Sequence, residues 1–201
     1  MKSVEPIRDK DKIKQMYNLL LGRESTGRDA MMFLIGCNSA LRISDILNLK
    51  VKDIFINNDC RFREYIVIQE IKTKKTNRAK QFKPPAGLKD KLKDYCIKNE
   101  LQLDDFLIFN KWGDKTKGID RINAWRRLKA AANILGLENF GTHSMRKSFG
   151  YHYFNAKGDK ALTILMRAFN HSSQRMTLLY IGIEQEGLDK LYTEVEDIYD
   201  V

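Results

Sequence analysis

The chain has one tyrosine, two histidines and two arginines at spacings that could serve chemistry on an anion. Thr142-His143-Ser144-Met145-Arg146 holds a His-x-x-Arg at an expected helix start. One helical turn separates the two side chains, so both can meet one anion at that helix terminus. His171 follows 28 residues later, in Asn170-His171-Ser172, and Tyr180 lies nine residues beyond it. Far upstream, Arg42 sits in Ala40-Leu41-Arg42-Ile43-Ser44-Asp45 at the edge of an apolar segment, with Asp45 as its obvious ionic partner. A run without acids, Lys72 to Lys83, holds Lys72, Lys74, Lys75, Arg78, Lys80 and Lys83, as suits a phosphate contact or a solvated loop. Taken singly, each feature has an ordinary explanation: a structural ion pair, a cap histidine, a core aromatic, a surface lysine.

Other chemistries lack their residues. The sequence has no Gly-rich phosphate loop, His-Glu-x-x-His, Cys-x-x-Cys or Gly-x-Ser-x-Gly. No metal or cofactor is expected. Cys37, Cys60 and Cys96 are odd in number and lack metal-ligand spacing, so they read as reduced, inert thiols. No apolar run reaches the length of a membrane span or signal peptide, and a cytoplasmic protein is expected.

The elements that must position these residues are mostly helical. Ile13, Met16, Tyr17 and Leu20 recur at helical spacing, with Asp9 or Asp11 as caps. Thr26 is placed to cap a central apolar helix through Ala30–Ile35, Ser44 a short third helix, and Thr142 the helix that carries the His-x-x-Arg. Two β-type segments, Val51–Ile56 and Tyr65–Ile68, flank the turn Asn57-Asn58-Asp59, and Ala79–Phe82 suits a return strand after the basic run. Leu88, Leu92 and Tyr95 mark a further helix. Ile119, Ile122, Trp125, Leu128, Ala132 and Leu135 form an amphipathic stripe. The expected fold class is mainly α with a small antiparallel β-sheet.

At 201 residues and 43% hydrophobic, the chain fills one large core rather than two comfortable domains. Its net charge of +10 favours a polyanionic partner, of which nucleic acid is the commonest. The charge is uneven. Residues 183–201 carry seven acids against Lys190, a net of −6, which leaves +16 on residues 1–182. Leu188, Leu191, Val195 and Ile198 give this acidic tail the apolar stripe of a helix.

Order makes the set specific. An arginine, a lysine-rich hairpin, His-x-x-Arg, His and Tyr, in that sequence over roughly residues 10–185, resemble the catalytic domain of the tyrosine recombinase, or phage integrase, family. The segments Leu41-Arg42-Ile43-Ser44-Asp45-Ile46-Leu47, Thr142-His143-Ser144-Met145-Arg146-Lys147-Ser148-Phe149 and Asn170-His171-Ser172-Ser173 leading to Thr177-Leu178-Leu179-Tyr180 carry the likeness. The resemblance implies a DNA breaking-rejoining fold and a site-specific recombinase. Tyr180 would form a 3′-phosphotyrosyl link. Arg42 and Arg146 would clamp the non-bridging oxygens, His143 would move a proton, His171 would hydrogen-bond the phosphate, and Asp45 would brace the site. Lys72 would be the general acid of the hairpin, with Lys74 and Lys75 as competing assignments; Lys74, Lys75, Arg78 and Lys80 would contact DNA. A type IB topoisomerase-like nicking-closing activity and a non-catalytic DNA-binding protein are the alternatives.

That chemistry needs no metal or nucleotide. A tyrosine of pKa about 10 is only about one part in a thousand ionised at pH 7, so it requires a base and positive charge nearby. Two guanidiniums match the oxygens of a phosphorane-like transition state. The phosphotyrosyl bond conserves the phosphodiester energy for religation.

Three further expectations come with the resemblance. Arg42 lies too early to leave room for the N-terminal core-binding domain of most members, so the chain resembles the short, catalytic-domain-only form. Residues 1–182 would be that domain, and 183–201 a helix that either is exchanged between protomers of a tetramer on double-stranded DNA or packs on its own domain, with accessory DNA-bending or directionality factors as further partners. Phe169-Asn170-His171 stands where Leu-Gly-His is usual.

Overall fold

The structure is a computed structural model that describes residues 4–69, 79–110, 114–184, 186 and 187. Its elements run α1 (Lys10–Arg23), α2 (Arg28–Cys37), α3 (Ile43–Leu47), α4 (Val51–Ile54), β1 (Ile66–Gln69), β2 (Ala79–Phe82), α5 (Ala86–Lys98), α6 (Arg121–Ile134), α7 (Thr142–Lys157), a 3-10 turn (Gly158–Ala161), α8 (Leu162–Phe169) and α9 (Gln174–Ile181). β1 and β2 pair antiparallel with Ile66 opposite Phe82 and Gln69 opposite Ala79. The expected mainly helical architecture with a small antiparallel sheet is what forms.

Helix α2 is the axle of the main core. Ala30, Met31, Met32, Phe33, Ile35 and Gly36 are all buried. Burying Met32 and Phe33 fully stabilises by about 1.5–3 kcal/mol each. A Cβ on Gly36 would come within 2.7 Å of the Met145 sulfur, so a bare backbone lets α7 lie directly on α2. The buried Arg28 donates to Asp29 at 2.8 Å and to the Phe109 carbonyl at 3.1 Å, and Arg127 of α6 reaches Asp29 at 2.8 Å. This network pins α2 to α6 with its charges paired, as burial demands.

A second, smaller core lies beyond it, built from Tyr151, Ala161, Leu165, Phe169 and Ile181. Gly150 permits it: a Cβ there would fall 2.7 Å from both Ile181 and Phe169. Helix α7 joins the two cores, with Met145 in the first and Tyr151 in the second.

The N-terminal segment straps across α7. Ile7 donates its N–H to Ser148 Oγ at 2.7 Å, the Ile7 carbonyl meets His152 Nε2 at 2.9 Å, and Lys147 Nζ donates to the Val4 carbonyl at 2.7 Å.

Several local expectations are corrected. Val51–Ile54 is helix α4, not strand. Asp53 takes the Lys50 N–H at 2.8 Å and so caps one turn, and the Val51 and Lys52 N–H groups are used by the Asp105 and Leu103 carbonyls. These bonds outweigh the β propensity of the side chains. Within Val51–Ile56, Phe55 pairs in β fashion, with Phe62. The N-cap residues of α2, α3 and α7 are Gly27, Arg42 and Gly141 rather than Thr26, Ser44 and Thr142. Asp9, by contrast, does cap α1. On α6 the buried face is Ala124, Leu128, Ala131 and Ala132, while Ile122 and Trp125 are exposed. Small residues let α6 approach its neighbours closely, and the large ones turn outward.

Burial holds the Cys37 thiol far up and pushes Cys96 up to about 12, which suits inert thiols. Among the described residues no group of His, Cys, Asp and Glu could hold a metal ion, and no helix is long and apolar enough to cross a membrane. Lys72, Lys74, Lys75 and Arg78, and the apolar stripe Leu188, Leu191, Val195 and Ile198, lie outside the described residues.

Candidate active site

Arg42 is held where the chain enters α3. Its backbone is extended, and the buried Asp45 accepts the Arg42 N–H at 3.1 Å through Oδ2. Asp45 therefore fixes the main chain that carries Arg42.

The start of α7 is set by Gly141 and Ser144. Gly141 is extended and donates its N–H to Ser144 Oγ at 3.0 Å, which satisfies one of the groups near the helix end. From this start His143 points outward, exposed, and Arg146 points in, 3% exposed. Arg146 Nη2 donates to the Phe169 carbonyl at 2.9 Å, and its guanidinium carbon stands 4.9 Å from the Phe169 ring centre. Phe169 ends α8, so this one arginine ties α7 to the α8 terminus.

Asn170 then turns the chain, with φ 56° in the left-handed region. Asparagine is the residue after glycine that tolerates this conformation best, so the departure from Leu-Gly-His keeps the turn. The turn brings His171 back, its N–H on the Met166 carbonyl at 2.9 Å. His171 Nδ1 meets Thr177 Oγ1 at 3.1 Å. Ser173 caps α9 by accepting the Met176 N–H, and α9 ends just after Tyr180, at Gly182 with φ 80°.

These elements converge on the Tyr180 phenol. His143 Nδ1 lies 3.2 Å from its oxygen. The His171 ring stands edge-on, 5.0 Å between centres, and Phe169 packs at 5.2 Å. Lys147 Nζ sits 5.1 Å over the Tyr180 ring. Burial raises the phenol above the ordinary tyrosine value; the Arg146 charge, the Arg42 charge and a hydrogen bond from Arg146 pull it back down. Tyr180 is thus protonated at neutral pH, with an imidazole in contact and two guanidiniums in electrostatic reach.

Arg42, His143, Arg146, His171 and Tyr180 are therefore gathered at one place from four segments. Lys80 lies on β2, and the residues joining β1 to β2 include Lys72, Lys74, Lys75 and Arg78. Sequence reasoning missed three contributors: Phe169 as the platform under the arginine and tyrosine, Thr177 behind His171, and Lys147 over the phenol ring. A threonine inside a short helix, three residues before the tyrosine, was the available signal for Thr177.

The family model described as phage integrase family matches residues 8–186. The chain is 38% identical over 192 residues to the probable integrase/recombinase YoeC of Bacillus subtilis, covering 96% of this chain and 97% of that one. It is 25% identical over 167 residues to tyrosine recombinase XerH of Helicobacter pylori, covering 81% of this chain and 43% of XerH. Among solved structures, XerA recombinase superposes with a TM-score of 0.68 at 14% identity, covering 98% of this chain and 68% of that one. XerH bound to palindromic difH substrate in a post-cleavage complex gives 0.68 at 20% identity, covering 96% and 53%. The fold is that of tyrosine recombinase catalytic domains. The chain belongs to the phage integrase family.

Proposed function

We propose that the chain is a site-specific DNA recombinase with Tyr180 as its nucleophile. The observation that carries this reading is the 3.2 Å approach of His143 Nδ1 to the phenol oxygen, beside Arg146. In the first step the phenol passes its proton to His143 and its oxygen attacks the scissile phosphorus. The bond from phosphorus to the 5′ oxygen breaks, leaving a 3′-phosphotyrosyl link. The departing 5′ oxygen takes a proton from a hairpin lysine, Lys72 in the first instance. Arg42 and Arg146 hold the non-bridging oxygens, and His171 donates to the same phosphate. Attack by a 5′-hydroxyl of a second duplex reverses these steps and exchanges the strand.

Double-stranded DNA at a specific site is the partner, bound by the +16 charge of residues 1–182, with Lys74, Lys75, Arg78 and Lys80 along its backbone. Residues 1–182 act as the catalytic domain. The acidic segment 183–201 serves the assembly of a tetramer on DNA, aided by DNA-bending or directionality factors, and the reaction takes place in the cytoplasm.

The test is a suicide DNA substrate made from sequence flanking the gene. A covalent protein–DNA adduct that disappears in Tyr180→Phe is expected; no adduct on any flanking DNA would overturn the reading. Relaxation of plasmid lacking the site, without strand exchange, would replace it with a nicking-closing enzyme.

A further inference from the structure

His171 can hydrogen-bond a phosphate only through a nitrogen that carries a proton, because a phosphate oxygen accepts and does not donate. A neutral imidazole has one such nitrogen, and the partner of the other nitrogen decides which. On this chain the partner of Nδ1 is Thr177 Oγ1, at 3.1 Å. Thr177 is fully buried, so no solvent competes for its hydroxyl proton.

That hydroxyl has two acceptors in reach. The Ser173 carbonyl is at 3.3 Å, but it already accepts the Thr177 N–H at 3.3 Å. His171 Nδ1 is nearer. A hydroxyl that donates to Nδ1 leaves the ring proton on Nε2. A hydroxyl that donates to Ser173 instead leaves the proton on Nδ1, and the neutral ring then offers a phosphate only a lone pair.

We propose that Thr177 is a positioning residue for the reaction: its hydroxyl donates to His171 Nδ1 and holds neutral His171 as the Nε2–H tautomer that the scissile phosphate requires. The inference rests on the reading of His171 as a phosphate donor. It also accounts for a threonine inside α9, where its helix propensity is poor. Thr177 and Tyr180 share one helix, three residues apart, so the same element that presents the nucleophile orients the donor opposite it.

The sequence contains three histidines, which makes the test direct. Protein labelled with ¹⁵N-histidine is examined by long-range ¹H–¹⁵N correlation without DNA, with His171 assigned by its loss in His171→Asn. In the parent, at a pH where the same spectra show the ring neutral, Nδ1 is expected to be the unprotonated, hydrogen-bonded nitrogen and Nε2 the protonated one. Thr177→Val should move the Nδ1 resonance toward that of an unbonded acceptor, or average it with Nε2. Thr177→Ser should keep the parent pattern. A protonated Nδ1 in the parent, or an Nδ1 resonance indifferent to Thr177→Val, overturns the proposal. The parent spectrum decides even if the valine variant fails to fold.

An activity arm follows from the same logic. Adduct formation by Thr177→Val should be about tenfold slower at pH 8, the equivalent of one lost hydrogen bond. The deficit should shrink in acid once the ring is protonated, because an imidazolium carries protons on both nitrogens. A deficit equal at all pH values overturns the tautomer role. Because the spectra need no DNA, failure there leaves the recombinase reading standing, and absence of any adduct leaves the spectra interpretable.

Discussion

His143 Nδ1 and the Tyr180 phenol oxygen lie 3.2 Å apart although 37 residues separate them in sequence. That is the reach of direct proton transfer. His143→Gln keeps a polar side chain but cannot take a proton at neutral pH. Single-turnover adduct formation should fall about 100-fold at pH 7. The loss should narrow as pH rises toward the phenol's own ionisation. An unchanged rate at pH 7 would remove His143 as the base.

Arg146 has two jobs, and its variants should separate them. Arg146→Ala removes the donor to the Phe169 carbonyl and, on the proposed mechanism, a phosphate clamp with it. It should lose about 1.5–3 kcal/mol in urea unfolding, as expected for a charged hydrogen bond, and about 10²–10³ in adduct formation. Arg146→Lys restores charge but not the planar fork. It should regain part of the stability while cleavage stays low. A lysine variant as active as the parent would argue against bidentate clamping.

Lys147 faces the ring of the nucleophile, and burial, opposed by Glu5 and aided by Arg8, holds its ammonium below the ordinary lysine range. Its charge favours the ionised phenol at neutral pH and is lost early as pH rises. Lys147→Met should therefore slow adduct formation roughly fivefold at pH 7, about 1 kcal/mol of cation–ring interaction, and less at alkaline pH. Lys147→Arg should behave as the parent. A methionine variant equally slow at all pH values would mean lost packing rather than lost charge.

His152 makes the strap sensitive to acid. Burial lowers its basicity, Lys10 adds to this, and the Ile7 carbonyl opposes them. A folded-state value below the unfolded one means that the unfolded chain binds the proton first. Stability from His152 is then fully present above about pH 6.5 and is lost as pH falls below it toward the folded value. Thermal unfolding from pH 8 to pH 5 should show this loss, and His152→Asn should flatten it. A parent whose unfolding temperature is constant through that range would contradict the assignment.

Much of this was legible in sequence because family-like blocks fix residue order and helices follow apolar periodicity. Arg42, His143, Arg146, His171 and Tyr180 could be named because their order resembles the phage integrase family's. What sequence could not carry were choices made by long-range backbone bonds. Val51–Ile54 has strand-forming side chains, yet Asp105 and Leu103 supply carbonyls that hold it as a helical turn. Trp125 lies on the right stripe by spacing, yet alanines on the adjacent face pack closer and win the core. The cap of α3 is a bond from the Arg42 main-chain N–H to the Asp45 carboxylate, where hydroxyl preference points to Ser44. Thr177 and Lys147 act through neighbours that only the folded chain brings near.

The two separate cores have a consequence for when the enzyme is armed. Tyr180 packs on the small core and His171 meets the ring of its Phe169, whereas the Arg42 segment is anchored in the large one by Leu41 and Ile43. An opening of α8 and α9 alone would disarm the protein while its folded body persists. Native-state hydrogen exchange should accordingly report faster opening in Leu162–Ile181 than in α2. On the proposed mechanism, such an opening would part the nucleophile from its base without unfolding the body of the protein.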